Sequence, residues 1–185
     1  NQDNIKGIVL MESMYMPAKL WYKQLKLKQK MMFWMMRSEG LSKKMIVTKN
    51  KVPAMMLKMG VKRKLSEKEV EGYASPYKED IERRKVMLYG PGPATVPKKG
   101  ISQTDGDFAD ELDKIAEGLL VVNATKPFLL IHAKPGLIVR KKAIEYAKEN
   151  FKNCTFLNVG EGKHLLQEDH PKAIAEGIVN WIKSI

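Results

Sequence analysis

A chain of 185 residues, 44% of them hydrophobic, is long enough to bury one good core and is most simply one domain with an insertion. Its single cysteine, Cys154, excludes an internal disulfide and fits a reducing, cytoplasmic setting. The net charge of +12 admits an anionic partner, while no apolar run approaches the roughly 20 residues of a membrane span, and the polar opening Asn1-Gln2-Asp3-Asn4 reads as no signal peptide.

In chain order, Ile5 to Met11 is a short apolar run that predicts a strand buried on both faces, as in a parallel sheet, with Glu12 and Ser13 at its C-terminal end. Residues 17–96 then read as a mostly helical insertion. Lys19 to Lys64 holds 14 Lys or Arg against one acid, Glu39, and 11 of the 12 methionines lie between Met11 and Met59. Such a stretch suits nucleic acid or an anionic membrane. The blander alternative is codon bias, with lysines on a solvated helix face and methionines as core filler. The absence of regular aromatic interleaving and of any nucleic-acid motif favours the latter.

Within the insertion, helical spacing groups Met31, Met32, Met35 and Met36, then Met55, Met56 and Met59. Ser66-Glu67-Lys68-Glu69 has the form of a capping box and predicts a third helix. Gly90-Pro91-Gly92-Pro93 and Pro97-Lys98-Lys99-Gly100 predict a loop.

Residues 97–185 return to alternating helix and strand. Phe108 to Leu119 predicts a helix, Pro127 to Ala133 a buried strand, Arg140 to Phe151 an amphipathic helix and Cys154 to Val159 another strand. The last helix starts near Pro171 with Ile174, Ile178, Trp181 and Ile182 on one face. This layout predicts an α/β fold: parallel strands with flanking helices and a helical cap inserted after an early strand. The expected division is 1–16 core strand and acid loop, 17–96 helical cap and 97–185 α/β core.

His164 occupies the loop between the last strand and the last helix, the place where α/β-hydrolases keep a general base. The alternative is a loop histidine with no special role. Glu12, at an earlier strand end, is the candidate acid to orient it, against the alternative of a turn-capping or solvated carboxylate. Glu168 and Asp169 read as caps for the last helix.

These residues carry a family resemblance over essentially the whole chain. Ile5 to Ser13, with its Met-Glu-Ser ending, resembles the strand that follows the nucleophile elbow in haloalkane dehalogenases. Trp21 resembles the start of their cap, and Leu65 to Glu69 with Tyr73, Pro76 and Tyr77 is similar to a later cap helix. Lys126 to Gly136 and Gly162 to Asp169, with its His-x-x-Gln-Glu-Asp motif, are similar to their last two strand ends. Coelenterazine luciferases related to them share these motifs.

The resemblance implies the C-terminal half of an α/β-hydrolase fold that cleaves carbon–halogen bonds hydrolytically through a covalent ester, with no metal or other cofactor. His164 would activate the water that hydrolyses the ester, and Glu12 would orient His164. Leu137, Ile138 and Leu165 would line an apolar pocket for a small halogenated substrate, with ordinary core packing as the alternative; Asn50 and Val52 match cap positions that can face it. Trp34 reads as cap packing rather than a halide donor. The family's strand–Gly-x-Asp-x-Gly–helix elbow and its halide-binding residues are absent, and Asp105, Asp107, Asp110 and Asp113 lack an elbow's setting. The chain alone is therefore expected to be inactive, to need an N-terminal half and to pack loosely or aggregate. Two other readings stay open: a luciferase-like coelenterazine monooxygenase, and a non-catalytic truncated relative whose basic cap binds an anion.

Overall fold

The computed structural model describes residues 4–36, 40, 43–86 and 107–185, without the side chains of 32–36, 52, 86 and 107–108. It divides into two compact units, residues 1–16, 59–64 and 115–185 in one and 17–58 and 65–114 in the other.

The first unit is built on strand β2 (Phe128–Pro135), whose first six residues are all buried. It lies between β1 (Ile8–Met11) and β3 (Cys154–Gly162), both parallel to it. An unbroken Phe-Leu-Leu-Ile run explains the central place: a strand covered on both faces has no polar side to show.

Alternation sends Leu129, Ile131 and Ala133 to one face, where they pack with Leu166, Ile174 and Trp181 and with the partly buried Met11, Leu157, Val159 and Ile178. Helix α9 (Pro171–Ser184) supplies three of these contacts. Ile182, predicted on the same face, is 56% exposed: it sits one position beyond Trp181, turned about 100° from it on a helix. On the other face, Phe128 meets Phe151 edge-on at 5.3 Å and Tyr15 meets Phe151 at 5.7 Å. Phe151 follows helix α7 (Lys141–Asn150).

Helix α6 (Asp107–Asn123) runs one turn further than its sequence pattern suggests, and its last residue explains why. Asn123 is buried, accepts the Asn153 N–H at 3.2 Å and donates to the carbonyls of Asn153 at 2.8 Å and Lys126 at 3.4 Å. One amide thereby joins a helix end to the starts of β2 and β3.

The strand expected over Ile5–Met11 and buried on both faces is shorter and more open. It spans Ile8–Met11, Val9 is 37% exposed, and among the described residues it pairs only with β2. The apolar pattern is real, but the covering neighbour that it presupposes is not among the described residues.

The second unit is helical: α1 (Ala18–Gln24), α2 (Leu27–Met36), a π-helical segment (Lys43–Thr48), α3 (Val52–Gly60), α4 (Glu67–Ala74) and α5 (Ile81–Val86), with the first turns of α6. The capping box forms as expected. Ser66 Oγ accepts the Glu69 N–H at 3.3 Å, and the Glu69 carboxylate accepts the Ser66 N–H at 2.7 Å. Helix α1 starts at Pro17 without a capping side chain of its own, and Asp113 Oδ1 accepts the Ala18 N–H at 2.8 Å instead. Arg84 donates to the carbonyls of Tyr77, Lys78 and Val47, drawing the end of this unit together. The loop predicted at Gly90–Gly100 and Asp105 lie outside the described residues. No described helix is long and apolar enough to cross a membrane.

Candidate active site

The C-terminal ends of parallel strands are where an α/β sheet gathers chemistry, because the chain leaves each strand there into a loop. All three strand ends of the first unit contribute. Glu12 follows β1, Gly136 to Val139 follow β2, and His164 follows β3.

Glu12 is 4% exposed and adopts φ 44°, a left-handed conformation that a residue with a side chain rarely takes. The cost is met by what its carboxylate reaches. Oε2 accepts the N–H groups of Leu137 at 3.1 Å and Ile138 at 2.8 Å, and Oε1 accepts that of Val139 at 3.3 Å. Three main-chain donors compensate for burying the carboxylate.

This cradle needs Gly136. Its φ is 66°, and a Cβ there would sit 3.0 Å from Glu12 Oε1 and collide with the Val139 carbonyl oxygen. The Gly136 and Leu137 N–H groups also donate to the carbonyls of Gly162 at 3.1 Å and Lys163 at 3.0 Å, so the cradle is tied to the end of β3.

His164 lies across from the carboxylate. Its Nδ1 is 3.6 Å from Glu12 Oε2, and that nitrogen is buried with no hydrogen-bond partner closer among the described residues. The ring is half-buried. Its main chain is fixed by Gly60, whose carbonyl accepts both the His164 and the Leu165 N–H at 2.9 Å. An acid held by three N–H groups beside an otherwise unpartnered ring nitrogen can fix the tautomer and stabilise the imidazolium, leaving Nε2 free to take a proton. A separation just beyond hydrogen-bond length is common before substrate tightens such a pair.

The structure thus brings Glu12, His164, Leu137 and Ile138 together, the last two through their backbone; Leu165 adjoins them and its Cγ lies 3.3 Å from where a Gly60 Cβ would be. All three apolar side chains are half-buried. Asn50 and Val52 lie in the helical unit. Asn50 has φ 46° and donates through Nδ2 to the Tyr77 carbonyl at 2.9 Å, which makes it a tie within that unit; Val52 opens helix α3 and its side chain lies outside the described ones. Trp34 likewise has no described side chain.

One expectation changes. Glu168 and Asp169 do not cap the last helix: both lie in the short helix α8 (Leu166–Asp169), and Glu168 pairs with Arg63. His170 holds the N-cap position of α9 with no side-chain cap, and Asp169 instead accepts the N–H groups of Lys62 and Arg63. The backbone cradle around Glu12 was not anticipated, although Pro135-Gly136 marked the turn that forms it.

Three other buried or half-buried titratable groups lie in the same unit. Burial, then Cys154 and Glu12, push the Tyr15 phenol up. Burial raises the Cys154 thiol to about 11 against a weaker opposing contact with the Leu130 backbone. Burial, then Lys148 and Lys134, hold His132 below the ordinary histidine value against Glu12.

No family model matches the chain. A haloalkane dehalogenase of Mesorhizobium japonicum is 30% identical over 154 residues, covering 83% of this chain and 47% of the relative. One from Bradyrhizobium diazoefficiens is 29% identical over 150 residues, covering 80% and 46%. The crystal structure of an ancestral haloalkane dehalogenase superposes with TM-score 0.78 at 30% identity, covering 98% of this chain and 61% of that one. The chain spans about half the length of the curated relatives it matches.

Proposed function

Since this chain belongs with the haloalkane dehalogenase-like α/β-hydrolases and corresponds to their C-terminal part, we propose that it supplies the base and the orienting acid for hydrolytic cleavage of a carbon–halogen bond. One observation carries the reading: a buried Glu12 carboxylate, held by three backbone N–H groups, faces the unpartnered Nδ1 of His164 at 3.6 Å.

In the proposed reaction an aspartate from an N-terminal half displaces halide from carbon and forms an alkyl ester. His164 Nε2 then takes a proton from water as that water attacks the ester carbonyl, and Glu12 stabilises the resulting imidazolium. The half-buried Leu137, Ile138 and Leu165 suit a small apolar halogenated substrate and exclude competing water. Asn50 and Val52 are proposed to meet that substrate from the cap, residues 17–96. The single thiol, Cys154, supports a reducing, cytoplasmic setting.

Among the described residues β1 pairs on one side only, with β2, which supports the need for a partner half. An apolar edge strand with a free row of N–H and C=O groups calls for a neighbour.

The test is a fusion of the N-terminal half of the Mesorhizobium relative to this chain, assayed for bromide release from bromoalkanes. The expected result is release that His164→Ala abolishes in steady state. A folded fusion that releases bromide equally well with and without His164 would overturn the reading.

A further inference from the structure

Residues Gly60 to Arg63 are tied to the His164 loop at every position. The Gly60 carbonyl accepts the His164 and Leu165 N–H groups at 2.9 Å each, and Lys163 Nζ donates to the Val61 carbonyl at 3.1 Å. The Lys62 N–H donates to both Asp169 oxygens, at 3.1 and 3.0 Å, and the Arg63 N–H to Oδ1 at 2.9 Å. Lys62 also pairs with Glu161, and the Arg63 guanidinium pairs with Glu168 at 2.6 Å. These four residues, with Met59 and Lys64 on either side, belong to the same compact unit as the sheet, whereas helix α3 up to Lys58 belongs to the helical one.

The bonds are not equivalent. The Lys62–Glu161 and Arg63–Glu168 pairs join exposed or partly exposed side chains and hold little by themselves. Asp169 is different: one carboxylate accepts two consecutive backbone N–H groups, which fixes the Val61–Lys62 and Lys62–Arg63 peptide planes, the first of them next to the peptide that carries the Gly60 carbonyl. That carbonyl in turn holds the main chain of His164. Gly60 suits the place, since a Cβ there would come within 3.3 Å of Leu165 Cγ and 3.6 Å of His164 Cβ.

We propose that Asp169 is a positioning residue for His164, acting through the 60–63 segment. It keeps the imidazole turned so that Nδ1 faces Glu12. The importance of this for turnover rests on the reading of His164 as the base; the positioning itself does not.

The test uses this chain, labelled with 15N, as wild type, Asp169→Ala and Asp169→Asn. Amide exchange at His164 and Leu165 is compared with exchange at Leu129 and Ile131 in the central strand, and the ring nitrogen shifts report the His164 tautomer. Asp169→Ala is expected to speed exchange at His164 and Leu165 about 10-fold relative to the strand, as loss of roughly 1.4 kcal/mol of local protection would. It should also shift the neutral ring away from the Nδ1–H tautomer. Asp169→Asn keeps one acceptor oxygen and should fall between the two on both measures.

Equal acceleration at all four amides, or an unchanged tautomer, would overturn the proposal. If Asp169→Ala does not fold, Asp169→Asn decides: faster exchange confined to His164 and Leu165 supports it, and no change overturns it. None of these readouts needs catalysis. A positioned His164 that proves dispensable for bromide release in the fusion would sink the base assignment and leave the positioning intact.

Discussion

Glu12 Oε2 and His164 Nδ1 face each other across 3.6 Å from the ends of the two outer strands of the sheet. The acid is the more tightly held partner. Its side chain is 2% exposed against 29% for the histidine, and three backbone N–H groups fix it before the histidine contributes anything. The acid thus defines the position to which the ring must come.

Glu12→Ala should therefore cost stability as well as any activity. It removes the carboxylate that accepts the N–H groups of Leu137, Ile138 and Val139, of which Leu137 keeps the Lys163 carbonyl, and the expected loss is roughly 2–4 kcal/mol. His164→Ala removes no such partner and should cost under about 1 kcal/mol. Urea unfolding of the two variants beside wild type checks the contrast; equal losses would mean that the cradle holds little.

Asn123→Ala should destabilise the sheet by roughly 1–3 kcal/mol, because it takes the acceptor from the buried-side Asn153 N–H, while the Asn153 carbonyl keeps the Phe128 N–H. The effect belongs to the end of the sheet remote from Glu12. The check is a fall in the urea midpoint with the slope unchanged, and with the Leu137 and Ile138 amide signals unmoved.

Much of this fold is legible in the sequence because periodicity reports burial directly. The Phe128–Ile131 run, the Ser66–Glu69 box and the Ile174–Trp181 face all carry their own local signals. Glu12 and His164 are legible as strand-end residues of the right chemical types. The cradle is not, because its donors are backbone N–H groups that any residue carries, and only Gly136 leaves a trace. Asp169 was misread for a related reason. An acid just before a helix usually caps that helix, and nothing local says that helix α8 will point it at Lys62 and Arg63, more than a hundred residues earlier. The exposure of β1 was hidden too, since an apolar run records the burial its strand needs rather than the burial found.

Cys154 should resist thiol reagents in the folded chain. With its thiol raised to about 11, the thiolate fraction at pH 8 is on the order of 0.1%, against about a quarter for a free cysteine. Labelling should be at least about 100-fold slower than in urea. Comparable rates folded and unfolded would show that the strand start opens freely.

His132 gives the chain an acid-side weakness. Its Nδ1 is buried without a hydrogen-bond partner among the described residues, and its folded value lies below that of the unfolded chain. Between the two values the unfolded state binds more protons, so this contribution is fully present above about pH 6.5 and is lost as pH falls below it toward the folded value. His132→Leu should flatten that part of the stability profile. The measurement is the urea midpoint of both proteins from pH 7.5 to 5; parallel profiles would assign the loss to other groups.

The central claim is that Glu12 and His164 act together on water at a covalent ester. Intact-protein mass spectrometry of the fusion after mixing with a bromoalkane tests it most directly. His164→Ala should accumulate a stable adduct of one alkyl mass, with one bromide released per chain and no further turnover, while wild type should release bromide continuously. An adduct that clears from His164→Ala at the wild-type rate would contradict the account.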